Sequence, residues 1–250
     1  NTLMRDKHQI SGYDIEGNLI KNTYSIRGDI LDYNTLYSSI DSKTDIIIHL
    51  AAVHKDNIKP ISLYESVNVD GTKNIIKIAI EKNINHILFL SSVAIYGDSS
   101  SDYSEEVSPN PTTPYARSKL CAEKELINWA KNGSSRRLSI IRSTVVIGKG
   151  NRGNVYNLIR FIYKYKYFMI GDGYNYKSIA YVKNLVQFIE SQFDNDKGVH
   201  IYNYADKPDL KIDQLVKIIK IKLGLSSITV RIPYLLALNI SYLFDIINLF

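Results

Sequence analysis

Asp45-Ile-Ile-Ile-His-Leu-Ala-Ala52 is a strongly apolar run bounded by turn-prone residues, the pattern of a β-strand buried on both faces. A second such run covers His86 to Ser92, and between the two, Ser66 to Asn83 repeats apolar residues at helical spacing through Ile75, Ile78 and Ala79. Outward from this centre, the pattern predicts extended stretches over His8 to Asp14 and Ser25 to Ile30 and a short helix over Leu31 to Ile40. It further predicts a helix over Tyr115 to Lys131 and a strand over Leu138 to Ile147, with a loop rich in Ser, Asp and Pro over Gly97 to Pro114. Strands alternating with helices at this interval imply βαβ units, and so a parallel sheet with helices on both faces. Beyond Gly148 the pattern loosens into a helix over Asn154 to Tyr167, an extended stretch over Phe168 to Ile170 and a polar loop. Helices around Lys183 to Gln192 and Ile212 to Leu223 complete it. The expectation is an α/β chain with a sheet domain over 1–147 and a smaller lobe over 148–250, partly interleaved with it.

The 250 residues are 45% apolar and 22% charged, proportions of an ordinary globular protein that exclude a disordered or fibrous chain. A single cysteine, Cys121, excludes an intrachain disulfide framework. A formal charge of +6 favours anionic small molecules or surfaces and falls short of a nucleic-acid-binding signature, so no nucleic acid partner is expected. His49 and His54 lack partner ligands at metal spacing, and no metal is expected. The chain opens on Asn1 and closes on Phe250 inside an apolar run, and it reads as a piece of a longer protein. That closing run, Ile232 to Phe250, is interrupted by Pro233, Asn239, Asp245 and Asn248. It suits a buried or partner-facing helix, with a peripheral membrane contact as the alternative.

Tyr115-Ala-Arg-Ser-Lys119 sets a phenol and an ammonium one turn apart on one helix face. A surface Tyr beside a solvated Lys would give the same spacing, and context gives it weight. Ile87-Leu-Phe-Leu-Ser-Ser92 is a buried strand ending in two hydroxyls, and ligands of parallel sheets sit outside the carboxyl ends of the strands. Ser92 is thus delivered to the place of a substrate, with the helix of Tyr115 one loop later. A nearby Lys cation favours the phenolate and lowers the phenol pKa, making Tyr115 a proton acceptor from a sugar or alcohol hydroxyl. Gly148-Lys-Gly-Asn-Arg-Gly153 matches a dinucleotide-binding glycine pattern literally, but the chain beyond it holds mostly helices and no run of buried strands. Lys149 to Lys183 carries seven basic residues and Asp172 as its only acid. The favoured reading is a loop approaching substrate phosphates, with Asn151, Arg152 and Lys177 as candidate contacts.

Ser91-Ser92-x-x-x-Tyr96-Gly97, Pro114-Tyr115-x-x-x-Lys119 and His49-Leu50-Ala51-Ala52 together resemble the extended short-chain dehydrogenase/reductase family. Within it the resemblance is to the NAD-dependent nucleotide-sugar epimerases and dehydratases. It covers essentially the whole chain, with Gly28-Asp29-Ile30, Asn68-Val-Asp-Gly-Thr72 and Arg142-Ser-Thr-Val-Val-Ile-Gly148 in agreement. The resemblance implies a Rossmann-type, doubly wound parallel sheet with a smaller C-terminal substrate lobe, NAD as cofactor, and Ser92, Tyr115 and Lys119 as a catalytic triad. Asp14 would accept from the adenosine ribose, favouring NAD over NADP, with no Arg beside it for a 2′-phosphate. Asp29 and Ile30 would flank the adenine, Leu50, Ala51 and Ala52 would line the dinucleotide path, and Asn68 would support it. Ser91, Tyr115 and Lys119 would complete the cofactor contacts, and Ser92 would also hold the substrate.

Two features depart from the family. Its first strand and Gly-x-x-Gly-x-x-Gly loop belong before Asn1 and are missing, and Lys177 and Lys183 stand where an Arg and an Asp are usual near the substrate. The implied activity is epimerisation at C4 of a nucleotide-diphosphate sugar of the UDP-glucose/galactose or UDP-GlcNAc/GalNAc type through a transient 4-keto sugar, for surface polysaccharide synthesis. Dehydration is not expected, because Val93 and Ala94 occupy the place of the dehydratase carboxylates. The alternatives are a 4-keto-sugar reductase with the same triad, an epimerase of a polyprenyl-diphosphate-linked sugar, and a non-catalytic NAD-sensing scaffold. The resemblance also implies a homodimer through the helices near Ser66 to Asn83 and Tyr115 to Lys131. A cytoplasmic location, extending to the inner face of the membrane, completes the expectation.

Overall fold

In the computed structural model the described residues are 8–17, 24–55, 57–98, 102–165 and 167–236. The expected closing helix falls largely outside them. The chain divides into two units, one formed by residues up to Thr144 together with Lys183–Tyr204, the other by Val145–Val182 and the residues from Ala205 onward.

The first unit is built on β3 (Ile47–His49), β4 (His86–Ser92), β5 (Arg137–Ser143) and β9 (Gly198–Tyr204), hydrogen-bonded in that order and all parallel. β4 and β5 lie inside the sheet because their sequences are apolar on both faces. Ile87, Leu88 and Phe89 are buried, as are Leu138, Ile140 and Ile141. Alternation then sorts the faces. Ile87, Phe89, Leu138 and Ile140 pack with α3 (Gly71–Glu81) and α4 (Pro114–Lys131) through Ile75, Ile78, Ala122, Leu126 and Trp129. The other face of β9 meets α6 (Val182–Ser191), where the Phe188 ring lies 5.4 Å from Tyr202 and 4.9 Å from Tyr204. Helices therefore cover both faces, as expected of a doubly wound sheet. β1 (Ser11–Asp14) and β2 (Tyr24–Arg27) form a separate parallel pair, followed by the short helix α1 (Tyr33–Ser39). After β3, the single turn α2 (Ser62–Glu65) leads through a π-helical turn, Ser66–Asp70, into α3.

The second unit holds a three-stranded sheet of β10 (Asp206–Lys211), β8 (Tyr176–Tyr181) and β6 (Val145–Ile147), and a parallel pair of β11 (Val230–Ile232) with β7 (Phe168–Ile170). Helices α5 (Asn154–Lys164) and α7 (Ile212–Lys222) share its core through Ile162, Met169, Leu215, Val216 and Ile219. Three expectations change here. The predicted strand over Leu138 to Ile147 is two strands, parted at Thr144, where the chain leaves one sheet for the other. The polar loop after Ile170 contains β8, and β9 is a full member of the main sheet that the periodicity does not reveal. The literal glycine pattern at Gly148 follows β6, a three-residue strand outside the main parallel sheet, which removes the context a dinucleotide loop needs. Gly148 is small for packing: a Cβ there would lie 2.4 Å from Val182 Cγ1.

Candidate active site

The carboxyl end of β4 delivers Ser92, and α4 delivers Tyr115 and Lys119. α4 starts where it does because Thr113 caps it, accepting from the Ala116 amide at 3.1 Å, and because Pro114 occupies the first turn, where its missing N–H costs nothing. Between β4 and α4, Val93–Tyr96 makes one 3₁₀ turn that Ser92 caps by accepting from the Ala94 amide at 3.2 Å. Gly97 follows with φ 76°, where a Cβ would lie 2.4 Å from the Asn110 carbonyl oxygen, so only glycine fits.

The Ser92 hydroxyl lies near enough to the half-buried Tyr115 phenol to favour its ionised form. Burial holds the phenol above its ordinary pKa, and the Ser92 hydroxyl opposes that only in part. This corrects the sequence expectation of a depressed phenol: desolvation disfavours the phenolate, and Lys119 is not among the groups acting on Tyr115. Lys119 is 2% exposed, with Nζ 3.9 Å from the centre of the Phe89 ring. Burial lowers its pKa to about 7, with Glu123, one turn along α4, pushing the other way.

Around this centre Asn68 acts as a brace. It lies in the π-helical turn and is 1% exposed. Its Oδ1 accepts from the Val53 amide at 2.7 Å, and its Nδ2 donates to the Val53 carbonyl at 3.0 Å and to Ser118 Oγ at 2.8 Å. Ser118 in turn donates to the Tyr115 carbonyl at 2.8 Å. Asn68 thus ties the segment after β3, which includes the exposed Leu50 and Ala51 and the half-buried Ala52, to the first turns of α4. His49, 3% exposed, bonds Thr72 Oγ1 at 2.9 Å, and the Thr72 hydroxyl donates to the Asn68 carbonyl at 2.6 Å. One hydroxyl proton cannot serve both, so His49 donates from Nε2.

Asp14 and Asp29 come together at the carboxyl ends of β1 and β2. The Gly28 amide donates to the Asp14 carbonyl at 3.0 Å, and the Tyr13 hydroxyl to the Asp29 carbonyl at 2.9 Å. Arg27 is the register partner of Asp14, and its Nε donates to the Ile15 carbonyl at 3.0 Å. An Arg therefore does adjoin the acid, from a neighbouring strand that sequence distance conceals. Ile30 is a core residue whose carbonyl accepts from Asn74 Nδ2 at 3.0 Å. The Ser91 hydroxyl is buried and, among the described residues, without a hydrogen-bond partner.

Asn151, Arg152 and Lys177 belong to the second unit. Asn151 is spent on its own turn, donating to the Val146 carbonyl at 3.0 Å and accepting from the Gly153 amide at 2.7 Å. Arg152 is exposed, and Lys177 is half-buried on β8. Sequence reasoning gave no role to Glu123 and Arg142, an ion pair of 2.8 Å whose side chains are 1% and 5% exposed. A charge on the apolar stripe of α4 and another inside the apolar β5 were the available signals. Among the described residues no group of three or more His, Cys, Asp or Glu could hold a metal, and no helix is long and apolar enough to cross a membrane.

Residues 2–205 match the NAD dependent epimerase/dehydratase family. The chain belongs to that family. It is 42% identical over 224 residues to the N-acetyl-alpha-D-glucosaminyl-diphospho-ditrans,octacis-undecaprenol 4-epimerase of Escherichia coli O157:H7, covering 88% of this chain and 67% of that protein. It is 29% identical over 199 residues to the UDP-glucose 4-epimerase of Vibrio cholerae, covering 76% of this chain and 60% of the relative. The chain thus spans about two thirds or less of the length of these epimerases. In fold it is similar to the UDP-glucuronic acid 4-epimerase from Bacillus cereus in complex with NAD, with a TM-score of 0.78 at 20% identity over 92% of this chain and 81% of that one.

Proposed function

We propose that this member of the epimerase family carries the catalytic groups of an NAD-dependent 4-epimerase acting on a hexose joined to a diphosphate. The observation that carries the reading is that Ser92, at the carboxyl end of β4, acts on the Tyr115 phenol, with buried Lys119 one turn along α4. Ser92 holds the sugar O4 within reach of Tyr115, and Tyr115 takes its proton as C4 is oxidised and returns it afterwards. Lys119, one turn along α4, would hold the cofactor ribose. The donor set fits the adenosine half and the nicotinamide side of a dinucleotide: Asp14 and Asp29 carboxylates at the strand ends, and the unpartnered buried hydroxyl of Ser91. A bound NAD would supply reversible hydride acceptance at C4, chemistry that inverts the centre with no net redox change. The sequence of 145–182 and 205–236 holds twelve Lys and Arg against four Asp and Glu, which favours an anionic diphosphate, with Arg152 and Lys177 as contacts.

Two carriers of the sugar are open. A nucleotide is the first reading, and a polyprenyl carrier is favoured by the undecaprenol-linked substrate named for the relative of 42% identity. A polyprenyl carrier would bring the enzyme to the inner face of the membrane. For assembly, the outer faces of α3 and α4, with Ile80 50% exposed, are the pairing surface of a homodimer, which light scattering tests. The activity is tested by incubating the intact protein and NAD with UDP-GlcNAc, UDP-glucose and polyprenyl-diphospho-GlcNAc, without added reductant. The C4 epimer should form and fall about a hundredfold or more in Tyr115→Phe. Turnover confined to the lipid-linked sugar selects the second carrier. No epimer from any of the three, or an undiminished Tyr115→Phe, sinks the proposal.

A further inference from the structure

A chain of polar contacts, buried at Arg142, Glu123 and Tyr96 and reaching the surface at Glu105, runs through the first unit. Arg142 of β5 grips Glu123 of α4 with Nη2 at 2.8 Å from Oε2 and Nε at 3.2 Å and 3.3 Å from the two carboxylate oxygens. Its Nη1 donates to the Tyr96 hydroxyl at 2.7 Å, and that hydroxyl donates to Asn203 Oδ1 of β9 at 2.9 Å. Asn203 Nδ2 donates to the Tyr103 carbonyl at 3.1 Å, and the Asn203 amide to Glu105 Oε1 at 2.6 Å. The Tyr103 ring stacks on Tyr96 at 4.8 Å.

The contacts join four elements whose common neighbour is the site. Tyr96 lies four residues after Ser92, Tyr103 and Glu105 lie on the way to Tyr115, and Glu123 lies one turn beyond Lys119. The segment that separates Ser92 from Tyr115 in sequence is therefore pinned midway to β5 and β9, and through Arg142 to Glu123 of α4. A buried ion pair is a poor source of stability, since apolar side chains of the same volume would avoid its desolvation. What apolar packing would not supply is direction: a planar guanidinium fork fixes the angle at which its partners sit. We infer that Arg142, acting through Glu123, Tyr96 and Asn203, is a positioning residue that sets the approach of the Ser92 and Tyr115 hydroxyls and the place of Lys119 beside them. The inference rests on the catalytic reading above.

Tyr96→Phe in the intact enzyme tests it with least disturbance, because one oxygen goes while the ring stays on Tyr103. The expected result is a kcat lower by about tenfold or more, with KM for the sugar and NAD affinity within about twofold of native. Arg142→Lys, which cannot span Glu123 and Tyr96 together, should act in the same sense and more strongly. A second readout is the ionisation of Tyr115, followed by NMR of tyrosine labelled at Cζ and assigned with Tyr115→Phe. Its midpoint should move by about half a unit or more in Tyr96→Phe. A lowered Tm with kcat and the Tyr115 midpoint unchanged would overturn the inference, as would a rise in KM alone. If native protein turns over no sugar, the catalytic reading fails, and the Tyr115 midpoint still decides whether Arg142 positions it.

Discussion

Replacing Lys119 by Met should stabilise the folded chain while removing turnover. Lys119 is 2% exposed, and burial takes its pKa from 10.5 down to about 7. The folded value lies below the unfolded one, so the unfolded chain binds the proton more tightly. The penalty is fully present below about pH 7 and fades as pH rises toward 10.5. At pH 7 a shift of that size corresponds to about 4 kcal/mol against the folded state. Methionine has a similar reach over the Phe89 ring and gives up a cation–π contact worth about 1–2 kcal/mol. Glu123 keeps its partner, because Arg142 holds it at 2.8 Å. The expected gain is therefore about 2 kcal/mol at pH 7, shrinking to nothing by about pH 10. Urea unfolding of native and Lys119→Met protein at three pH values reads both numbers. A variant less stable at pH 7, or a difference that does not change with pH, would refute the assignment of Lys119 as a desolvated cation.

The buried histidines give the opposite pH range. His49, lowered to about 3 chiefly by burial and then by Lys119, and His86, lowered to about 4 by burial and then by Arg137, each contribute stability that is lost as pH falls below 6.5. At pH 5 the loss is on the order of 2 kcal/mol for each, so thermal melts should drop steeply between pH 7 and 5, and a flat profile would contradict their burial as neutral rings. In the core, Leu138→Ala at a site with 0% exposure should cost about 2–5 kcal/mol in urea unfolding, against about 0.5 kcal/mol or less for Ile221→Ala at 56% exposure.

The elements legible in the sequence are those with a uniform environment. β4 and α4 are buried along their length, so an apolar run and a helical stripe report them directly. β9 reads Gly-Val-His-Ile-Tyr-Asn-Tyr and is half-buried at every residue. Its polar atoms are matched by particular partners, such as the Tyr202 hydroxyl with Asn195 Nδ2 at 3.2 Å, and no alternation survives to mark it. The run over Leu138 to Ile147 names strands but not sheets, which is why the break at Thr144 was hidden. At the site, Ser92, Tyr115 and Lys119 are legible from spacing, while the Tyr115 phenol is not. Sequence supplies the neighbouring charge and omits the desolvation that outweighs it. Arg27 beside Asp14 was lost for the related reason that strand pairing joins residues thirteen apart.

The two halves of α4 explain why changes at the site should be readable as chemistry. Its first turns bury polar groups: Ser118, Lys119 and Glu123. Its later turns bury Leu126, Trp129 and Ala130 against Ile78, Ile84 and Leu138. Apolar burial at roughly 1.5–3 kcal/mol for each large side chain anchors the helix from its far end. The near end can then carry a desolvated cation and an ion pair without loss of the fold. A helix anchored through its polar turns would unfold when Lys119 or Tyr96 was altered. Anchored as it is, α4 should keep its seat on the sheet in Lys119→Met and Tyr96→Phe, and what those variants lose should be turnover and not the fold.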